Sequence, residues 1–163
     1  MTDFYGLPTR AIYNDHIRLE YLAEGGLRLV RLFLTHSACP ENIFAEMPQA
    51  SWPTPYGDYF LRGGHRLWHA PEAAPRSSIP EPSELEVKEL PDGVWLGQPT
   101  EPATGIGKRL EIHLAPDRPA LTVKLELRNE GVWPVELAPW AITQLPLGGV
   151  AILPQPMGPI DAH

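Results

Sequence analysis

The sequence predicts an all-β fold, an antiparallel β-sandwich in a single domain spanning residues 1–163, and three observations lead there. Twenty prolines and 14 glycines spread along 163 residues leave little room for long helices. The short runs between them alternate apolar and polar residues, the period of a strand with one dry and one wet face. Two of the longest such runs flank a turn-forming segment, as the arms of a hairpin do.

The first clear strand has Ile17, Leu19 and Tyr21 on one face and Arg18 and Glu20 on the other. Glu24-Gly25-Gly26 reads as a hairpin turn. In the run that follows, Leu27, Leu29, Arg31 and Phe33 alternate with Arg28, Val30, Leu32 and Leu34. Its end is apolar on both faces, which predicts a central place in a sheet. The clearest hairpin comes later. Leu110, Ile112 and Leu114 alternate with Glu111 and His113, and the Ala115-Pro116-Asp117-Arg118-Pro119 turn follows. Leu121, Val123, Leu125 and Leu127 then alternate with Thr122, Lys124, Glu126 and Arg128. Shorter strands are expected at 42–46, 58–61, 85–90, 94–97, 134–137, 142–145 and 150–153. Residues 48–57, carrying Trp52 and Tyr56, read as a loop, and 73–83, with three prolines, as an extended connector.

Composition narrows the function classes. A content of 43% hydrophobic and 20% charged residues is ordinary for a globular protein with a real core. A net charge of -7 argues against a nucleic-acid partner, which calls for a basic face. Apolar runs such as Leu32-Phe33-Leu34 are far too short to span a bilayer, so no membrane partner is expected. Met1-Thr2-Asp3-Phe4 does not read as a signal peptide. The lone Cys39 excludes an internal disulfide and reads as a packing thiol in a reducing compartment, so the expected location is cytoplasmic.

The densest chemistry lies in Arg62-Gly63-Gly64-His65-Arg66-Leu67-Trp68-His69-Ala70-Pro71-Glu72. In extended conformation His65, Leu67 and His69 face one side, and Arg66 and Trp68 the other. The His-x-x-x-His spacing suits zinc only on a helix, and Gly-Gly and Pro71 argue against one. No third ligand lies near, so neither a metal nor any cofactor is expected. A histidine paired with Glu72 is a possible acid–base dyad. In a purely structural reading Arg66 meets a surface carboxylate, Trp68 fills core and the histidines are half buried. A polar and aromatic cleft is the remaining reading. Sugars present apolar C–H faces flanked by hydroxyls, which an aromatic ring and charged or amide edges satisfy together. Arg62, His65, Arg66, Trp68 and Glu72 supply those types, with Trp52 or Tyr56 adding a ring.

Other residues carry plainer expectations. Trp133 and Trp140 read as packing residues, and the acidic stretch 81–89 as a solvated edge. His113 points to the wetter face of its strand, where it could line a concave cleft.

The stretch from Gly57-Asp58-Tyr59-Phe60-Leu61 through Arg62-Gly63-Gly64 to Glu72 resembles the Arg-Gly-Gly segment of galactose mutarotase-like (aldose 1-epimerase-like) proteins, nearest to an uncharacterised bacterial branch. The resemblance continues in order through Gly105-Ile106-Gly107-Lys108-Arg109-Leu110-Glu111-Ile112 and Leu125-Glu126-Leu127-Arg128-Asn129-Glu130-Gly131. It ends in Leu137-Ala138-Pro139-Trp140-Ala141-Ile142-Thr143-Gln144-Leu145 and Gly148-Gly149-Val150-Ala151-Ile152-Leu153-Pro154. It implies a β-supersandwich with a carbohydrate-binding cleft, and maps a sugar-contacting arginine onto Arg62. Epimerases of that superfamily open the ring with a histidine acid and a glutamate base. Their acid sits in a His-Pro-Tyr-Phe-like segment, where this chain reads Ala138-Pro139-Trp140-Ala141. Their base lies in a C-terminal half, so the resemblance covers the N-terminal half only and implies an incomplete supersandwich.

Carbohydrate binding without turnover is therefore the leading expectation. An aldose epimerase or mutarotase using His65 or His69 as the acid is the first alternative, and a structural or interaction protein the second. Half a supersandwich exposes sheet edges, so a homo-oligomer or a partner chain completing the sheet is also expected.

Overall fold

The computed structural model describes residues 2–38 and 41–154, so Cys39 lies outside the described residues. It is an antiparallel β-sandwich. The strands are β1 (Thr2–Phe4), β2 (Leu7–Tyr13), β3 (Ile17–Leu22), β4 (Arg28–Leu34), β5 (Glu46–Thr54) and β6 (Gly57–Gly63). They continue with β7 (His65–Ala70), β8 (Glu86–Leu90), β9 (Gly93–Gly97), β10 (Ile106–Leu114), β11 (Leu121–Asn129) and β12 (Ala138–Thr143). The helical content among the described residues is one 3₁₀ turn at Arg76–Ser78, and no helix is long and apolar enough to cross a membrane.

Six strands form one sheet in the order β1-β2-β3-β4-β7-β12, and four form a second in the order β11-β10-β9-β8. Strand β4 is interior, as its two-sided apolarity predicts. The long hairpin runs in register from Ile106↔Asn129 to Leu114↔Leu121, and Ala115 N donates to Ala120 O at 2.9 Å across its turn. Between the sheets Leu19, Tyr21, Leu29 and Leu67 meet Val94, Leu96, Leu110 and Ile112. Each leucine or isoleucine fully buried there contributes about 1.5–3 kcal/mol. Leu121, Val123, Leu125 and Leu127 of β11 extend this core but stay half-buried, because β11 is a sheet edge.

A third, two-stranded layer is added to the two main sheets. Residues 48–57, expected as a loop, supply most of β5, which pairs with β6 in a separate two-stranded sheet. Pro48 and Pro53 are tolerated because β5 has a single partner and its pairing shifts register between Met47 and Ser51. This hairpin lies over the outer face of the six-stranded sheet, where Tyr59 of β6 reaches Arg28 of β4 and Trp68 of β7.

Other expectations need correction. At 42–46 the chain is irregular up to Glu46, because Asn42 Oδ1 accepts from Leu32 N (2.9 Å) and Phe44 N (3.0 Å) in place of a ladder. Residues 134–137 and 150–153 form no strand. The strand near 142–145 starts earlier, at Ala138, where it pairs with β7. Strands β1 and β2 lacked a visible alternation; their two-residue turn has positive φ at Tyr5 (52°) and Gly6 (91°), which matches the twist of a tight hairpin.

Candidate functional site

The site is built where the chain leaves the outer hairpin and enters the main sheet. Arg62, Gly63 and Gly64 all take left-handed conformations, with φ of 60°, 85° and 67°. A Cβ at Gly63 would stand 2.1 Å from Ala45 O, and one at Gly64 would stand 2.0 Å from Leu29 O. Only glycine fits at both. The close approach lets three backbone bonds tie the junction: Gly64 N to Ala45 O, Ala45 N to Gln144 O and Gln144 N to Gly64 O, each 2.9 Å.

Beyond the junction β7 separates its side chains onto two faces. On the inner face Leu67 enters the core, and His65 Nδ1 lies 2.8 Å from Thr143 Oγ1 on β12. Burial, then the charges of Arg28 and Arg66, push the His65 imidazole below its ordinary pKa. His69, 1% exposed, faces the second sheet beside a buried ion pair between Lys108 Nζ and Glu101 Oε1 (2.5 Å). Its Nε2 is 3.9 Å from Glu101 Oε2, too long for a hydrogen bond. Burial and Lys108 lower its pKa, with Glu101 opposing. His69 also lines a cavity of about 280 Å³ with Tyr56, Pro75, Ile106, Val135 and Leu137.

On the outer face the side chains form an arginine and aromatic cluster under the β5–β6 hairpin. Arg28 is fully buried; its Nε donates to Glu81 Oε2 at 2.9 Å and its Nη2 to the Tyr59 hydroxyl at 2.7 Å. Burial opposes its charge, but Glu81 and Tyr59 outweigh that and leave its pKa raised. Arg66 lies 4.3 Å over the Trp68 ring and donates from Nη1 to Gln144 Oε1 at 2.6 Å. Arg62 lies 5.2 Å from the Phe60 ring centroid. Burial first, and Arg28 next among the lowering influences, pull the pKa of both Arg62 and Arg66 down. The rings run as a ladder: Trp52 to Tyr59 at 4.8 Å, Tyr59 to Trp68 at 5.8 Å, Trp68 to Trp140 at 5.7 Å.

The Gly25-Gly26 turn makes room for this cluster. A Cβ on Gly26 would lie 2.1 Å from Glu81 Oε2, and one on Gly25 would touch Arg62 Nη2 at 3.6 Å.

Of the residues singled out from the sequence, Arg62, Arg66 and Trp68 come together. His65 and His69 point to the opposite face. Glu72 is exposed beyond the end of β7 and makes no hydrogen bond or ion pair among the described residues. The carboxylate that joins the arginines is Glu81, part of the stretch expected to be a solvated edge; Arg28 draws it inward. Trp68 is only 6% exposed, so the ring faces open to solvent belong to Trp52, at 37%, and to half-buried Trp140. Trp133, expected to pack, is 78% exposed. His113 lies on the second sheet between Asp92 (2.8 Å) and Glu111 (3.1 Å), which raise its pKa.

Sequence reasoning passed over Arg28, Tyr59, Glu81, Gln144, Glu101 and Lys108. Arg28 alone carried a signal, an arginine opening a largely apolar central strand. Among the described residues no three histidine, cysteine, aspartate or glutamate side chains gather to hold a metal ion. Comparison of the chain with protein-family models, with curated proteins and with solved structures returns no match.

Proposed function

We propose that the chain is a carbohydrate-binding protein of galactose mutarotase-like type, acting without turnover and in a cytoplasmic setting. The observation that carries this reading is the outer-face cluster, in which guanidinium groups lie against aromatic rings beside an amide. A sugar ring needs an apolar surface for its C–H face and donors for its hydroxyls. Trp52 and Trp140 offer the surface, and Arg62, Arg66 and Gln144 the polar edge. Ligand-observed NMR with a panel of monosaccharides is expected to give a response that Arg62→Ala and Trp140→Ala both weaken. A response untouched by either change would move the site elsewhere, and no response to any sugar would end the reading.

One observation favours an epimerase as the second reading. His69 and Glu101 stand 3.9 Å apart, and His69 lines a cavity. An imidazole and a neighbouring carboxylate are the residue types that acid–base exchange at an anomeric centre uses, the imidazole donating once it is protonated and the carboxylate accepting. Anomer exchange of a freshly dissolved aldose, followed by NMR, would accelerate with the protein and slow with His69→Gln. An unchanged rate across the panel excludes it.

Self-association belongs to the same proposal. Strands β11 and β12 are edges of their sheets, and Val132, Trp133, Leu145, Leu147, Val150 and Ile152 are exposed nearby in sequence. Apolar surface beside open edges favours a partner. A well-folded monomer at micromolar concentration in size-exclusion mass measurement would count against it.

A further inference from the structure

Several cations of the molecule are held by carboxylates. Arg31 meets Glu20 and Glu46, Lys108 meets Glu101, and Arg109 meets Glu126 and Glu130. The outer-face cluster differs: among Arg28, Arg62 and Arg66 only Arg28 has an ion pair, to Glu81, and Glu72 acts on Arg66 without pairing with it. This cation excess stands in a chain whose net charge is -7.

We propose that the ligand of this site is an anionic sugar, a sugar acid or a sugar phosphate, whose carboxylate or phosphoryl oxygens are held among Arg28, Arg62 and Arg66.

The proposal rests on the carbohydrate reading and narrows it to charged sugars. Arg28 Nη1, Arg62 Nε and Arg66 Nε are buried donors with no hydrogen-bond partner among the described residues. Arg28 and Arg66 are 0% and 4% exposed, so water at the surface does not readily satisfy them. Buried charges unmatched by an opposite charge are costly, and a neutral hydroxyl offsets little of that cost. A carboxylate or phosphoryl group offsets it directly, and its oxygens suit the planar guanidinium fork.

The Tyr59 hydroxyl adds a donor. It accepts from Arg28, and its own proton has no acceptor among the described residues. Burial holds Tyr59 in its protonated form. Burial first, and the neighbouring Arg28 after it, lower the pKa of Arg62 and Arg66, with Glu81 opposing at both and Glu72 at Arg66. Arg62 is half-buried, with exposed Trp52 and Phe60 at the rim, which gives a ligand its approach from solvent. Gln144 faces Arg66 where a glutamate of the same size would have completed an internal ion pair.

The test is calorimetric titration at low ionic strength with glucuronate, glucose 6-phosphate, glucose and inorganic phosphate. At least one charged sugar is expected to bind on the order of tenfold or more tightly than glucose, the gain of one charge-assisted contact. The two charged probes separate carboxylate from phosphoryl recognition. Arg62→Gln should remove most of that preference, with circular dichroism verifying the fold. Gln144→Glu, which places an internal carboxylate on Arg66, should abolish the preference and leave the protein folded.

Glucose binding as tightly as the charged sugars would overturn the proposal and leave the carbohydrate reading standing. Inorganic phosphate binding while no sugar binds would overturn the carbohydrate reading and with it the sugar half of this one. No response to any of the four probes would overturn both. That last result would direct the search to an acidic side chain of a partner protein.

Discussion

The two faces of the six-stranded sheet solve burial in opposite ways. On the inner face Leu29 and Leu67 meet Leu96, Leu110 and Ile112 in an apolar core, while His69 on the same face lies beside the Lys108–Glu101 pair. On the outer face, one residue along the same strands, Arg28 and Arg66 meet Tyr59, Trp68 and Glu81 beneath the β5–β6 hairpin. The inner face stabilises through area removed from water. The outer face holds charge in a confined space and leaves donors unpartnered. A layer that contributes to stability only when its charges are matched is one suited to binding.

The comparison breaks most visibly at Arg28. Arg28→Met leaves Glu81 and the Tyr59 hydroxyl buried without their cation, and is expected to cost about 3–5 kcal/mol in chemical denaturation. Adding Glu81→Leu should recover much of that loss, since removing both members of a buried pair is often neutral. A double variant as unstable as the single one would mean that Arg28 acts by packing alone. The inner face offers no such recovery. Leu110→Ala is expected to cost about 2–5 kcal/mol, transfer and cavity combined, with sugar binding by the remaining folded protein unchanged. A loss of binding at constant fold would show that the two faces are coupled.

Acidification sharpens the contrast further. His65 and His69 both have folded pKa values below the ordinary 6.5. The unfolded chain therefore takes up protons first as pH falls. Stability from these groups is complete above pH 6.5 and is lost between 6.5 and their lower folded values, with a slope of up to about 1.4 kcal/mol per pH unit for each. Melting temperature should fall on going from pH 7 to pH 5, and His65→Gln should flatten part of that fall. His113 works in the other direction, since its raised pKa adds stability that is lost as pH rises through the folded value. A melting temperature unchanged over this range would mean that the inner-face histidines are solvated. The smallest effect belongs at the surface. Arg109→Ala, which removes the pair with Glu126, should cost less than about 1 kcal/mol and weaken further with salt.

Legibility in the sequence follows the same division. The β10–β11 hairpin was readable because its alternation is regular and its turn lies between its two arms. β3 and β4 were readable for the same reason, through Gly25-Gly26. The loop expected at 48–57 hid a strand because its prolines argue against a ladder, and only the lack of a second partner makes them acceptable. Glu81 sits between Pro80 and Pro82 with nothing local to mark it; Arg28 gives it a role. The motif from Arg62 to Glu72 announced its chemistry, yet its histidines, its arginines and Glu72 went to three different places.

By itself the sequence determined the fold class, the paired hairpins and the apolar core between the sheets, because each is written in the period of neighbouring residues. The need for Gly63 and Gly64 was legible as a bend. What only the tertiary structure decided is the company that Arg66 keeps. β7 pairs with β4 on one side and β12 on the other, and these pairings join segments far apart in the chain. No local period specifies them, since they depend on how the whole sheet packs against its neighbour. That pairing sets Arg28, Tyr59, Glu81 and Gln144 around one strand and concentrates positive charge in a chain that is acidic as a whole.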